Sequence, residues 1–429
     1  MTAAGPIEHL DAGLVASLRG LDRDGRLLFL TRTFRLFGYG FLAVVLVLYL
    51  VELGLDAAAI GAVLTLTLVG DTAISLWLTT RADRIGRRRV LVVGALLMSG
   101  AGIVFAVTDW LPLLVLAGTV GVISPTGNEV GPFLAIEQAA LAQTTPDRRR
   151  TPTFAWYNLA GYVATAVGAL TAGAVAQVLL GGGLAAVDAY RVIVVGYAIV
   201  GLAMAAVFAR VGPAVEAPAA AALDDGVRRR LGLGRSRGIV ARLSALFAVD
   251  AFAGGFIPQS LMAYWFHLRF GVEPAVLGGI FFGANLLAAV SALSASRIAA
   301  RIGLVNTMVF THLPSNVLLI LVPLMPTLPL AVLVLLARFS LSQMDVPTRQ
   351  SYVLAVVEPD ERSAAAGVTG IARTTGAAIS PALSAPLVAS TSVAIAGLPF
   401  VIAGGLKIAY DLALWVAFRA RPAPEERRA

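Results

Sequence analysis

Eight charged side chains, Arg32, Arg35, Asp71, Glu129, Asp250, Arg338, Asp345 and Arg349, stand inside long apolar stretches of this 429-residue chain. A guanidinium is a rigid fork of donors suited to carboxylate or phosphate. A carboxylate shielded from water can take up and release a proton, whereas one paired with arginine stays ionised. Spacing groups several of them. Arg32, Arg35 and Tyr39 follow i, i+3, i+7, and Arg338, Ser342, Asp345 and Arg349 follow i, i+4, i+7, i+11, each set on one helix face. Asn128 and Glu129 lie in a stretch, SPTGNEVGPFLAIEQ from Ser124 to Gln138, that carries two prolines and two glutamates straight after the apolar run Leu111–Ile123.

Other chemistries are poorly served. There is no cysteine, so thiol catalysis, disulfides and thiolate metal sites are excluded. The three histidines, His9, His267 and His312, are far apart, which speaks against a metal cluster. No Ser/His/Asp grouping or phosphate-binding loop is present, so the reading is a non-enzyme without cofactor. The net charge of +8 and pI near 10.3 fit basic loops of a membrane protein better than a nucleic-acid partner.

The elements that must position these residues follow from composition. The chain is 58% hydrophobic and 14% charged, with mean hydropathy +0.84; a soluble domain is about a quarter charged. Continuous apolar runs near the roughly 20 residues needed to cross a bilayer recur throughout, unlike the short alternating segments of a β-barrel. They predict an all-α polytopic protein with spans near 27–51, 57–80, 90–108, 111–143, 153–179 and 190–210, then 239–266, 274–299, 303–325, 327–357, 364–390 and 394–419. Residues 1–26 form an N-terminal tail, in which Leu10, Leu14, Leu18 and Leu21 can line an interfacial helix. Residues 27–210 and 239–419 form two six-helix halves, 211–238 a polar linker and 420–429 a tail. Arginines crowd alternate loops (Arg81 to Arg89, Arg148 to Arg150, Arg228 to Arg237, Arg297, Arg301, Arg362), which places both termini in the cytoplasm and the chain in the plasma or inner membrane.

The halves repeat. GLDAAAIG at Gly54–Gly61 matches GVEPAVLG at Gly271–Gly278, RIG at Arg84–Gly86 matches RIG at Arg301–Gly303, and PDRR at Pro146–Arg149 matches PDER at Pro359–Arg362. With RADRIGRRRVLVVG from Arg81 to Gly94 between the second and third spans, the chain resembles the major facilitator superfamily. The carried-over loop residues are Asp83, Arg84, Gly86, Arg87 and Arg88. The resemblance implies two pseudo-symmetric six-helix bundles, a solute path between them, alternating access and a monomer. Thr79 replaces the leading glycine of the loop pattern, and the fourth and fifth spans lack the arginine and glycine–proline motifs of drug–proton antiporters.

On this reading Arg32, Arg35, Tyr39, Asn128, Glu129, Arg338, Asp345 and Arg349 are the solute-binding candidates. Asp71, Glu129, Asp250 and Asp345 are the proton-carrying candidates, and Asp83 is a gate latch that holds arginines and a helix N-terminus until the halves separate. Lys407 and Asp411 pair within the last span, and His312 with Asn316 is structural. The expected cargo is a small polar, anionic solute, with protons as coupling ion and the lipid bilayer as surroundings. The alternatives are an organic-cation or drug exporter working through Glu129 and Asp345, and a receptor or lipid-handling protein on the same fold.

Overall fold

Most of each apolar run is helical in the computed structural model, which describes residues 21–216, 234–358 and 361–421. The N-terminal half holds α1 (Arg23–Ala43), α2 (Leu46–Glu52), α3 (Ala57–Ile85), α4 (Arg87–Val107), α5 (Leu111–Val120), α6 (Phe133–Thr144), α7 (Asp147–Gly181) and α8 (Ala186–Phe208). The C-terminal half repeats that order with α9 (Arg237–Gly255), α10 (Gln259–Phe270), α11 (Pro274–Ile302), α12 (Leu304–Leu321), α13 (Leu328–Leu341), α14 (Asp345–Ala355), α15 (Arg362–Val388) and α16 (Val393–Phe418). The stripe of leucines before Leu21, the arginine run of the linker and the last tail residues lie outside the described residues.

Among the described residues, nine helices or joined helices are long and apolar enough to cross a membrane, and ten if α1 and α2, bent by 45°, form one span. The sequence reading of twelve exceeds this measure at two places. The fourth span, expected as one helix over 111–143, is two helices with a non-helical stretch over 121–132 between them. The eleventh, α15, has length but is built largely from Ala, Gly, Ser and Thr.

The sequence repeat is a backbone repeat. Gly54 and Gly271 share φ values of 82° and 64°, and Gly86 and Gly303 values of 106° and 83°, a region that favours glycine because it has no Cβ. These glycines bound α3 and α11, both 29 residues long. The first and seventh spans are both broken, and so are the fourth and tenth. In the tenth, the turn at Ser342–Met344 precedes Pro347, which sits in the first turn of α14.

The halves meet through α3 against α15 and α11 against α7. The second contact admits only glycine at its tightest point: a Cβ on Gly173 would lie 2.3 Å from the Pro274 carbonyl oxygen and 2.9 Å from the Gly278 Cα. A cavity of about 220 Å³ lies between the halves near Gly54, walled by side chains such as Val47, Ile60, Leu261 and Ala385; none of the candidate residues lines it.

The basic loop after α3 is packed within its own half. Asp83 takes Arg87 (2.9 Å), but the expected hold on a helix N-terminus belongs to another acid. Glu216 accepts from the backbone N–H groups of Arg87 (2.6 Å) and Arg88 (3.2 Å) at the start of α4. Arg87 also donates to Gln143 and the Val215 carbonyl, and Arg88 to the Val211 carbonyl, so these bonds tie α4 and α6 to the segment after α8. Arg84 is exposed in the last turn of α3. The pair of Asp83 with Arg87, four residues on, lies within the N-terminal half.

The second half uses the same device. Glu361 accepts from the N–H groups of Gly234 (2.6 Å), Arg235 (2.9 Å) and Ser236 (2.9 Å) just before α9. Ser236 first, then those of Gly234 and Arg235, hold the Glu361 carboxyl below its ordinary value. A carboxyl whose native value is depressed stabilises the fold above its unfolded value and loses that contribution as pH falls through the native one. Glu361→Gln is therefore expected to lower the melting temperature in detergent at neutral pH. The gap should close as the solution is acidified below the usual carboxylate range, and a gap independent of pH would refute the clamp.

Candidate functional site

The break in the fourth span is possible because side chains replace its lost backbone bonds, a requirement for any irregular chain at membrane depth. Tyr39 on α1 donates to the Val130 carbonyl (3.0 Å), Gly131 N–H donates to Asp71 on α3 (2.6 Å), and Ser124 donates to the Asn128 carbonyl (2.7 Å). Tyr197 on α8 hydrogen-bonds the Val122 carbonyl. Two of the candidates, Tyr39 on α1 and Asp71 on α3, thus bond the backbone of the break at adjacent residues.

Glu129 at the end of the break meets both arginines of α1. Its carboxylate oxygens accept from Arg32 (3.0 Å) and Arg35 (2.7 Å). Arg35 reaches further to Glu137 on α6, with contacts of 2.9 and 2.6 Å, and both side chains are 0% exposed. Thr31 and Tyr157 complete the shell around Glu137. Arg32 also donates to the Tyr157 carbonyl (2.7 Å) and to Asn158 (3.3 Å), and lies over the Tyr157 ring. Arg32 is therefore held in a buried network and does not reach for the membrane surface. Two arginines and two glutamates cancel here. Asp71 remains outside the balance, half-buried and bonded to Gly131 and Ser75 but to no cation among the described residues.

The C-terminal half assembles a second network. Asp250 on α9 takes Lys407 on one oxygen (2.5 Å), and Arg373 (3.2 Å) and Arg349 (3.4 Å) on the other. Arg349 also pairs with Asp345 one turn earlier on α14 (2.7 Å). The expected Lys407–Asp411 pair within α16 is not formed: Lys407 turns to Asp250, and Asp411 bonds His312 (2.9 Å) and Asn316 (2.9 Å) of α12. Three cations face three carboxylates across these helices when His312 is neutral. Arg338 on α13 stands apart. Its side chain meets no carboxylate among the described residues, and its buried Nε has no acceptor.

The candidates therefore fall into two groups, Arg32, Arg35, Tyr39, Asp71 and Glu129 around the N-terminal break, and Asp250, Asp345 and Arg349 in the C-terminal half, with Arg338 unpaired. Asn128 joins the first group only through its backbone. Sequence reasoning missed Glu137, Tyr157 and Arg373 as members of these networks, and gave Lys407 only a partner within its own helix. The last two carried a usable signal, since each is a lone cation within an apolar or small-residue helix, and Lys407 is the only lysine in the chain.

The sequence profile described as the Major Facilitator Superfamily matches residues 28–381. An uncharacterized membrane protein of Saccharomyces cerevisiae, YJR124C, is 30% identical over 425 residues, covering 92% of this chain and 94% of the yeast protein. Among solved structures, the nucleoside transporter NupG superposes with a TM-score of 0.69 at 16% identity, covering 93% of this chain and all of NupG. A bacterial homolog of the human lysosomal transporter Spinster, inward-facing and unoccupied, gives 0.66 at 14% identity over 92% of this chain and 94% of its own. The human organic anion transporter MFSD10 gives 0.62 at 16% identity over 92% of this chain and all of its own. At these identities the likeness to the solved structures is one of fold.

Proposed function

Because the chain belongs to the Major Facilitator Superfamily and is a multi-pass membrane transporter, we propose that its cargo is a small polar anion, carried by alternating access with a coupled proton. Arg338 carries this reading. Arg32, Arg35, Arg349, Arg373 and Lys407 are each matched by a carboxylate; among the described residues Arg338 is not, and its guanidinium lies over the Phe339 ring (4.8 Å to the centroid). An uncompensated charge at membrane depth is expensive, about 2.5–3.5 kcal/mol on insertion scales, and such residues mark solute or ion paths. An anion at Arg338 supplies the missing partner. Asp71 is the reciprocal case, a carboxylate without a cation, and is the proton carrier on this reading.

The cation-exporter alternative has less support, because both of the carboxylates it relies on, Glu129 and Asp345, are occupied by arginines. The two halves rock about the α3–α15 and α7–α11 contacts, so one copy of the chain contains the whole path. The arginine-rich loops and both termini face the cytoplasm of a plasma or inner membrane. The chain moves its solute unchanged.

The test is thermal stabilisation of the purified protein in detergent by organic and phosphorylated anions beside lipophilic cations, at acidic and alkaline pH. A ligand at a hundred times its Kd adds about 2.7 kcal/mol to the native state. Stabilisation by anions that disappears in Arg338→Gln is the expected result. Stabilisation by cations that disappears in Glu129→Gln or Asp71→Asn would overturn the anion reading.

A further inference from the structure

Both helix breaks of the C-terminal half carry polar atoms without partners. At the first, Gln259 opens α10; its Oε1 accepts from Asn285 on α11 (3.2 Å), which turns the buried Nε2 away from that bond and leaves it unpartnered. The next residue, Ser260, is 1% exposed, and its hydroxyl has no partner among the described residues, although its backbone N–H donates across the halves to the Pro125 carbonyl (3.1 Å). At the second break, Ser342 is 5% exposed with an unpartnered hydroxyl, one turn from the orphaned Nε of Arg338. A buried donor left unmade costs about 1–3 kcal/mol. Four of them at two breaks call for a common partner.

The two breaks share a depth. Helices α11 and α13 are pinned at two levels: a Cβ on Gly283 would lie 3.3 Å from the Leu336 side chain, and Gln343 N–H donates to Ser291 (3.1 Å). Both pins relate residues by nearly the same offset, so the helices run parallel and Arg338 stands level with Asn285. Asn285 in turn holds the Gln259 amide, so the amide and Arg338 belong to one level of the C-terminal half.

We propose that the transported anion also bears a neutral hydrogen-bond acceptor, a hydroxyl or carbonyl oxygen, and that Gln259, oriented by Asn285 and assisted by Ser260, is the group that selects it. The proposal rests on Arg338 as the anion's partner and adds a second point of recognition at the other break. Ser342 supports the anionic end. The solute class is a small oxygenated organic anion, as opposed to an inorganic ion or a fatty carboxylate. Gln259 also touches the N-terminal half, since a Cβ on Gly127 would lie 3.2 Å from its Oε1, so this end of the solute lies where the halves meet.

The experiment measures stabilisation of the full chain by matched pairs of carboxylates three to six carbons long, with and without hydroxyl or keto groups (hexanoate beside gluconate is one pair). Wild type is expected to prefer the oxygenated member of at least one pair by about tenfold or more, the worth of one or two well-made hydrogen bonds. Gln259→Met should reduce that preference below about threefold while leaving the weaker member's affinity unchanged. Asn285→Leu, which frees the amide without touching Arg338, should do the same and serves if the first variant does not fold. Equal affinity within every pair in wild type, or an undiminished preference in both variants, overturns the selector. Loss of all binding in Arg338→Gln, together with the reduced preference in Gln259→Met or Asn285→Leu, upholds both readings. Binding that survives Arg338→Gln overturns the anion site itself, and with it this proposal.

Discussion

Arg35→Met is expected to destabilise the protein by about 3–5 kcal/mol, the scale measured when one member of a buried ion pair is removed. Arg35 is fully buried, and its guanidinium spans two glutamates, Glu129 through Nε at 2.7 Å and Glu137 through both terminal nitrogens. Methionine fills much of the same volume but leaves Glu137, also 0% exposed, with only the hydroxyls of Thr31 and Tyr157 as partners. The loss comes from a stranded negative charge more than from the pair's own attraction. Adding Glu137→Gln to Arg35→Met should therefore recover a large part of it, a coupling that a double-mutant cycle reads directly. Denaturant unfolding of the four proteins in mixed micelles supplies the numbers. A single-variant cost below about 1 kcal/mol would mean that the cluster adds little to stability, and Arg35 would return to the list of groups free to hold solute.

Asp71→Asn is expected to uncouple transport from the proton gradient while sparing anion binding. Asparagine can still accept from Gly131 N–H through its side-chain oxygen, so the break of the fourth span keeps its support. The variant can no longer take up a proton at that position. With one proton per anion, a gradient of one pH unit is worth about 1.4 kcal/mol, or tenfold accumulation. Proteoliposomes of wild type should thus concentrate the anion selected by the stabilisation panel about tenfold per pH unit. The variant should exchange labelled for unlabelled anion yet show no response to the gradient. An unchanged response in Asp71→Asn would move the proton elsewhere, with the carboxylates Glu129 and Asp345 next in line.

The contrast between these two acids shows how far sequence reading reaches. Asp71 and Glu129 look alike in the sequence, each a carboxylate well inside an expected span. Only the fold separates them, because α1 presents Arg32 and Arg35 to Glu129, while Asp71 faces a glycine N–H and a serine. Asp411 makes the same point from the other side. Its spacing from Lys407 is ideal for a bond within the helix, yet α9 and α12 offer Asp250 and His312 at shorter reach, and tertiary neighbours prevail.

What the sequence determined alone was the membrane, the two repeated halves and the family, for a physical reason. Transfer of apolar side chains into lipid is a local, additive property of a run of residues, and a positive-φ glycine such as Gly86 or Gly303 marks a turn wherever the chain is placed. What the tertiary structure alone decided was the partner of each buried charge. Periodicity assigns a side chain to a face, but the rotation and tilt of each helix decide what that face meets. The broken fourth span belongs to the same class. Its prolines and glycines announced an irregularity, and only Tyr39, Asp71 and Tyr197 closing on it from other helices turned a kink into a gap of non-helical chain.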